Sequence, residues 1–311
     1  MTVCVAVLCQ DGAAAIGASD RMLSTADNQT KMVKIHHLTD EVVVMISGDV
    51  ALHSELLIEL RSLISLNAHN PDVLTVKNLA DSYTLAFYQA KVRRSERQFL
   101  LPLGLTAEKF TSQQHGLSEK LTGEIAKELL YFSMPDCSAI FMGVDSSSGY
   151  LRAHLYTVEN GHMTCRNETG FAAIGVGVYQ AASSLMFSGH NTSSKLDTAL
   201  YLTFAAKKRA EVAPGVGVDT DMVYVSNSDP KYILLASHVM SRLDSIYATA
   251  EKTHKRANTN AERQCHEYLK SLRDAPTEQQ SDEGVELAGT PPSETGGSTS
   301  STGNERQPPK A

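Results

Sequence analysis

Thr2-Val3-Cys4-Val5-Ala6-Val7-Leu8 and Ala13-Ala14-Ala15-Ile16-Gly17-Ala18 stand on either side of Gln10-Asp11-Gly12, and this pairing decides the fold class. Two β-branched and apolar runs joined through Asp-Gly read as a β-hairpin. A second pair follows, Met32 to Leu38 and Glu41 to Ser47, about Thr39-Asp40. Its Val and Ile content predicts strands buried on both faces or sandwiched.

The period then changes. Leu52, Leu56, Leu60 and Leu63 recur at helical spacing, with Leu57 and Ile64 widening the stripe. Thr75 is an N-cap candidate for a second helix carrying Leu79, Tyr83, Phe87 and Ala90 on one face. That helix closes on Lys91, Arg93 and Arg94, a basic C-terminus favoured by the macrodipole. Leu100 to Leu105 reads as a packed connector, and a third helix covers about Ser118 to Tyr131. Strands return at Ala139 to Val144, Leu151 to Val158, Met163 to Arg166 and Phe171 to Ile174, with a turn at Asn160-Gly161. Helices at Tyr179 to Phe187 and Leu196 to Val212 precede two short strands, Met222 to Val225 and Tyr232 to Ala236. A long helix from about Val239 to Leu272 carries Val239, Leu243, Ile246, Ala250, Ala261, Cys265, Tyr268 and Leu272 as its apolar stripe. Antiparallel strand pairs separated by helix pairs predict an α+β fold with helices stacked outside a sheet-on-sheet core. No G-x-G-x-x-G follows the first strand, so a dinucleotide-binding fold has no support.

Composition bounds the rest. The 311 residues are 42% hydrophobic, enough for a buried core in one large domain or two small ones. The net charge of -7 argues against a nucleic-acid binder, which needs a basic footprint. From Pro276 onward six acids oppose only Arg306 and Lys310, so the tail holds -4 of that charge. The tail also has five of the ten prolines and no aromatic residue, a composition that predicts disorder. Five cysteines are scattered without a C-x-x-C pair, which implies neither a disulfide framework nor a zinc site. No run reaches membrane-spanning length, and no basic segment precedes the first apolar stretch as in a signal peptide. A reducing cytoplasm is the expected location, with no membrane partner.

The chemistry begins at Met1-Thr2. Thr is small enough for removal of the initiator Met, which frees the Thr2 α-amine beside its own hydroxyl. An α-amine has a reference pKa of about 7.7–8.0, so it can serve as base for that weak nucleophile near neutral pH. Lys34 lies 32 positions after Thr2, and Gly48 lies 14 positions after Lys34 at a strand-to-helix junction. A lysine beside the hydroxyl lowers its pKa, and a glycine N–H at such a junction can donate to an oxyanion.

This layout resembles the β-type subunits of the proteasome and their bacterial relatives, the N-terminal nucleophile (Ntn) hydrolases. Threonine, lysine and oxyanion glycine occur there at the same separations. The likeness extends through Gln29-Thr30, the Ile46-Ser47-Gly48 run and Gly175-Val176-Gly177-Val178-Tyr179. It covers about Thr2 to Asn67 and, more loosely, Cys137 to Ala236. The resemblance implies a four-layer αββα sandwich over residues 1–238, interrupted by a helical insertion at about 95–136; the helical periodicity adds an extension over 239–275, and composition makes 276–311 a disordered tail. It implies a threonine-type peptidase or amide hydrolase working through an acyl-enzyme on Thr2, with no metal or organic cofactor. It also implies a homo-oligomer, ring or stacked, acting on a peptide or amide; an unfoldase partner is not identified.

The sequence departs from the family pattern in places. The lysine-pairing aspartate falls at Ala18 by strict count, leaving Asp20 (with a local insertion) or Ser19 as candidates. The family serine of the second glycine turn aligns with Val176, and the late acid–serine pair aligns with Glu211 and Pro214. A non-catalytic scaffold, like the family's α-type subunits, and a small-molecule amidase are therefore the alternative functions. Other residues have plain structural readings. Lys34 reads also as a strand-edge lysine, Gly48 as a helix-entry turn, and Asp20-Arg21 as a surface ion pair. His36 and His37 point to opposite faces of their strand, Asp219-Thr220-Asp221 resembles a turn, and Cys4 is a core thiol.

Overall fold

The computed structural model describes residues 2–24, 29–70, 72–147 and 149–274; Met1 and the 276–311 tail lie outside them. The chain divides into two compact units between His254 and Lys255. The first is mixed α/β, built on two antiparallel sheets.

One sheet has the order β10-β1-β2-β11-β12. Its strands are β1 (Val3–Cys9), β2 (Ala14–Asp20), β10 (Phe171–Gly175), β11 (Thr220–Ser226) and β12 (Ile233–Leu234). The other has the order β5-β6-β7-β8-β9, made of β5 (Ile35–His37), β6 (Val42–Gly48), β7 (Cys137–Asp145), β8 (Arg152–Glu159) and β9 (His162–Cys165). A separate hairpin joins β3 (Met22–Ser24) to β4 (Gln29–Lys31). The helices are α1 (Val50–Leu66), α2 (Val76–Ser95), α3 (Ala107–Gln113), α4 (Glu119–Tyr131), α5 (Val178–Phe187), α6 (Leu196–Ala210) and α7 (Ser237–Asp274).

The two-residue alternation explains why the central strands are apolar throughout. In β1, Val3, Val5 and Val7 join a cluster with Ala181 and Leu185 of α5, Phe204 of α6 and Leu243 of α7. Cys4, Ala6 and Leu8 point the other way, into a cluster with Val43, Met45, Ile140, Met142 and Leu155 of the second sheet. In β6, Val42, Val44 and Ile46 turn instead to Leu52, Leu56 and Leu60 of α1 and to Leu79 and Tyr83 of α2. Both strands are therefore covered on both faces. Each fully buried aliphatic side chain contributes about 1.5–3 kcal/mol, so these clusters hold the strand ends where the site forms.

The caps follow the sequence. Asp49 accepts the Leu52 N–H at 2.7 Å and starts α1, and Thr75 accepts the Asn78 N–H at 3.2 Å and starts α2. Three expectations change. The strand expected over 32–38 shrinks to β5, because the chain before it folds back as β4 on β3, pairing Met22 with Lys31. Leu100 is buried, but Leu101 and Leu103 are more than half exposed, so the connector packs through one leucine. In α7, Val239 and Leu243 pack in the first unit. Ile246 and Ala250 are already exposed in the first unit, and in the second unit Ala261, Cys265, Tyr268 and Leu272 are exposed on a helical segment, so the expected stripe is core only as far as Leu243. Among the described residues, no helix is long and apolar enough to cross a membrane.

Candidate active site

Antiparallel pairing of β1 with β2, in the register Cys4 opposite Ser19, brings the start of β1 beside the end of β2. Thr2 and Asp20 meet there. The Thr2 hydroxyl donates to Asp20 Oδ1, and the Lys34 ammonium donates to Thr2 Oγ1. Lys34 Nζ also donates to Asp20 Oδ1 at 2.8 Å and to the Met22 carbonyl at 2.5 Å. An ammonium has three N–H bonds, and these three acceptors account for them. Thr2, Asp20 and Lys34 are 2%, 0% and 4% exposed. Lys34 is therefore no solvent-facing edge lysine.

Asp20 is the hub. Its Oδ1 also accepts the Val3 N–H at 2.9 Å, and its Oδ2 accepts those of Met22 and Gly217 at 3.0 Å each. Burial alone raises a carboxyl pKa, but the hydrogen bonds from Lys34, Thr2, Val3 and Gly217 outweigh it and hold Asp20 below its ordinary value. A carboxyl depressed by folding contributes stability that is complete above its unfolded pKa of about 3.9 and is lost as pH falls through the lower folded value. Denaturant unfolding measured from pH 7 down to pH 2 is expected to show this acid limb, and Asp20→Asn is expected to flatten it. An Asn variant with an unchanged limb counts against Asp20 as its source.

The sequence left Asp20 and Ser19 open as partners of Lys34. The hydrogen bonds go to Asp20, whereas Ser19 is buried with no hydrogen-bond partner for its hydroxyl among the described residues. Arg21 pairs not with Asp20 but with Asp221, through two bonds of 2.8 and 2.5 Å, and Lys31 pairs with Asp219 at 2.8 Å. Cys4 is a buried thiol pushed up to about 12, by burial first and against the pull of Lys34.

Gly48 closes the site from the other sheet. The Ile46 N–H donates to the Lys34 carbonyl at 3.1 Å, and the strand repeat turns the Gly48 N–H toward the same edge, one step beyond β5. Gly48 has φ +117, and a Cβ on it would lie 2.2 Å from the Asp136 carbonyl oxygen, so the junction requires glycine. Gly48 and Thr2 line one pocket of about 20 Å³ with Met22, Met32, Lys34, Ile46, Ser47, Val50 and His53. Room for about one water remains there.

The second glycine turn also reaches Thr2. Gly175 has φ +92, and a Cβ on it would lie 2.3 Å from the Thr2 carbonyl oxygen. Next to it Val176 is half-exposed and has no polar side-chain atom. Glu211 accepts from Lys207 at 2.7 Å and Lys208 at 3.0 Å.

Sequence reading missed Lys207. Its side chain is fully buried and donates to Glu211, to the Gly217 carbonyl at 2.8 Å and to the Val218 carbonyl at 3.0 Å. It thus holds the loop between α6 and β11, whose Gly217 N–H reaches Asp20. The signal was present: Lys207 falls on the stripe of Thr203, Phe204 and Ala210, where a charge needs a buried partner. No group of three His, Cys, Asp or Glu side chains among the described residues is placed to hold a metal ion. The sequence matches no protein-family model and no curated protein.

Proposed function

We propose that this chain is a proteasome-like Ntn hydrolase, a threonine-type peptidase or amide hydrolase whose nucleophile is Thr2. One observation carries the reading: a buried threonine hydroxyl held between a lysine ammonium and a carboxylate, in a pocket that Gly48 also lines. The three apolar clusters, helix on sheet, sheet on sheet and sheet on helix, support a four-layer αββα arrangement for the same unit.

In this mechanism, removal of whatever precedes Thr2 frees its α-amine. Thr2 Oγ attacks the carbonyl carbon of the scissile amide, and its proton passes to that amine. The Lys34 ammonium stabilises the oxygen as it gains charge, and the Gly48 N–H receives the developing oxyanion. Collapse breaks the C–N bond, and the leaving amine takes the proton. Water then hydrolyses the Thr2 ester. Asp20 holds Lys34 and the Thr2 hydroxyl in register. The chemistry needs neither metal nor organic cofactor. A peptide or amide substrate, a homo-oligomeric ring or stack, and a cytoplasmic location belong to this proposal.

A scaffold role is the second reading. Val176 offers nothing to orient an α-amine, and Glu211 is already engaged by two lysines.

N-terminal sequencing followed by labelling with a threonine-directed electrophile separates the two. The hydrolase is expected to begin at Thr2 and to form an adduct there, with complete loss in Thr2→Ala and no loss of fold. A folded protein that begins at Thr2 and takes no adduct assigns the scaffold.

A further inference from the structure

We infer that His53, held in one tautomer by Tyr83 and Cys137, orients and polarises the Ser47–Gly48 peptide and thereby sets the oxyanion donor. The inference rests on the hydrolase reading above.

His53 lies in the first turn of α1, 1% exposed, and lines the Thr2 pocket. Its Nε2 is 3.0 Å from the Ser47 carbonyl oxygen, and its Nδ1 is 2.5 Å from the Tyr83 hydroxyl. Tyr83 Oη is in turn 3.4 Å from Cys137 Sγ. A carbonyl only accepts, so the imidazole proton is on Nε2. Burial lowers the basicity of His53 and keeps the ring neutral, which leaves a lone pair on Nδ1. The Tyr83 proton therefore points to Nδ1, and Tyr83 Oη is free to accept from Cys137. Burial raises Tyr83 well above its usual value and pushes Cys137 up to about 11, so both keep their protons. Cys137 Sγ is also 3.7 Å from Nδ1 and 3.8 Å from Nε2, whereas the tyrosine hydroxyl is the much closer partner of Nδ1 at 2.5 Å.

The donors run one way: Cys137 to Tyr83, Tyr83 to His53, His53 to Ser47. A peptide unit is planar and trans, so its oxygen and its N–H point in opposite directions. The Ser47–Gly48 peptide lies in the β6–β7 pairing, with Ser47 opposite Ser138 and Gly48 opposite Cys137. The His53 bond adds a second hold on the Ser47 oxygen, which restrains the direction of the Gly48 N–H and strengthens it as a donor. His53 is thus a positioning residue acting through the backbone, and the buried polar chain around it has a use.

Two measurements on the full chain test this. The ¹⁵N spectrum of labelled histidine in the unaltered protein is expected to show His53 neutral with its proton on Nε2; a proton on Nδ1 overturns the inference. Tyr83→Phe is expected to move the Gly48 amide proton upfield. It is also expected to lower kcat/KM for Thr2 acylation about tenfold with KM unchanged, part of the roughly 100- to 1000-fold effect of deleting an oxyanion donor. A folded Tyr83→Phe protein with an unmoved Gly48 amide overturns it. An unmodified Thr2 in the wild type sinks the hydrolase reading instead, while the tautomer and the Gly48 shift still decide whether the network acts on this peptide.

Discussion

Lys34→Met is expected to reduce Thr2 acylation at least about 100-fold and to cost the fold about 3–5 kcal/mol at pH 7. The two losses have one origin. Methionine keeps the length and apolar stem of lysine but removes the ammonium that bridges Thr2 Oγ1, Asp20 Oδ1 and the Met22 carbonyl. Asp20, fully buried, is then left charged without its cation, and removing one partner of a buried pair is far more costly than the net worth of the pair. The remaining N–H donors from Val3, Met22 and Gly217 soften this penalty without cancelling it. Losing the cation also raises the Asp20 pKa. The stability gap between variant and wild type is therefore expected to narrow as pH falls and Asp20 takes up a proton. Denaturant titrations of both proteins at pH 7 and pH 4 check this. A constant gap would show that the loss comes from packing rather than charge.

Lys207→Met is expected to destabilise the protein by about 2 kcal/mol and to loosen the loop before β11. The Gly217 and Val218 carbonyls lose their ammonium donor, and an unsatisfied buried acceptor costs about 1–3 kcal/mol. Glu211 retains Lys208 at 3.0 Å, so the carboxylate is not stranded, and the desolvation already borne by Lys207 is relieved. Those offsets keep the total near the value for the carbonyls. The variant is expected to exchange the Gly217 amide proton faster, because that N–H reaches Asp20 only while the loop is held. Unchanged stability together with unchanged Gly217 exchange would remove Lys207 from the support of the site.

The parts of the site legible beforehand were those carried by local pattern. The paired apolar runs on either side of Gln10-Asp11-Gly12 form the β1–β2 hairpin, and the stripe from Leu52 to Leu60 forms the buried face of α1. Thr106 caps α3 over Ala107–Gln113, a helix with no buried residue, and so no apolar period announced it. Spacing along the chain located Thr2, Lys34 and Gly48 but left Asp20 and Ser19 equivalent, since they are neighbours in one strand. The bonds of Lys207 to the Gly217 and Val218 carbonyls, and those joining Cys137 to Tyr83 and Tyr83 to His53, connect segments that no local rule pairs.

Residue order alone carries the alternation of strands, the periods of helices and the identity of the groups able to do chemistry, because these depend on covalent neighbours and on which side chains avoid water. Which carboxylate meets the lysine, which carbonyl a buried histidine holds and which glycine shares a pocket with Thr2 were settled only when two sheets and their helices packed. The lysine and its carboxylate lie 14 positions apart, and the Gly217 N–H that also holds that carboxylate lies 197 positions from it. The strength of these contacts comes from burial that no short segment can supply.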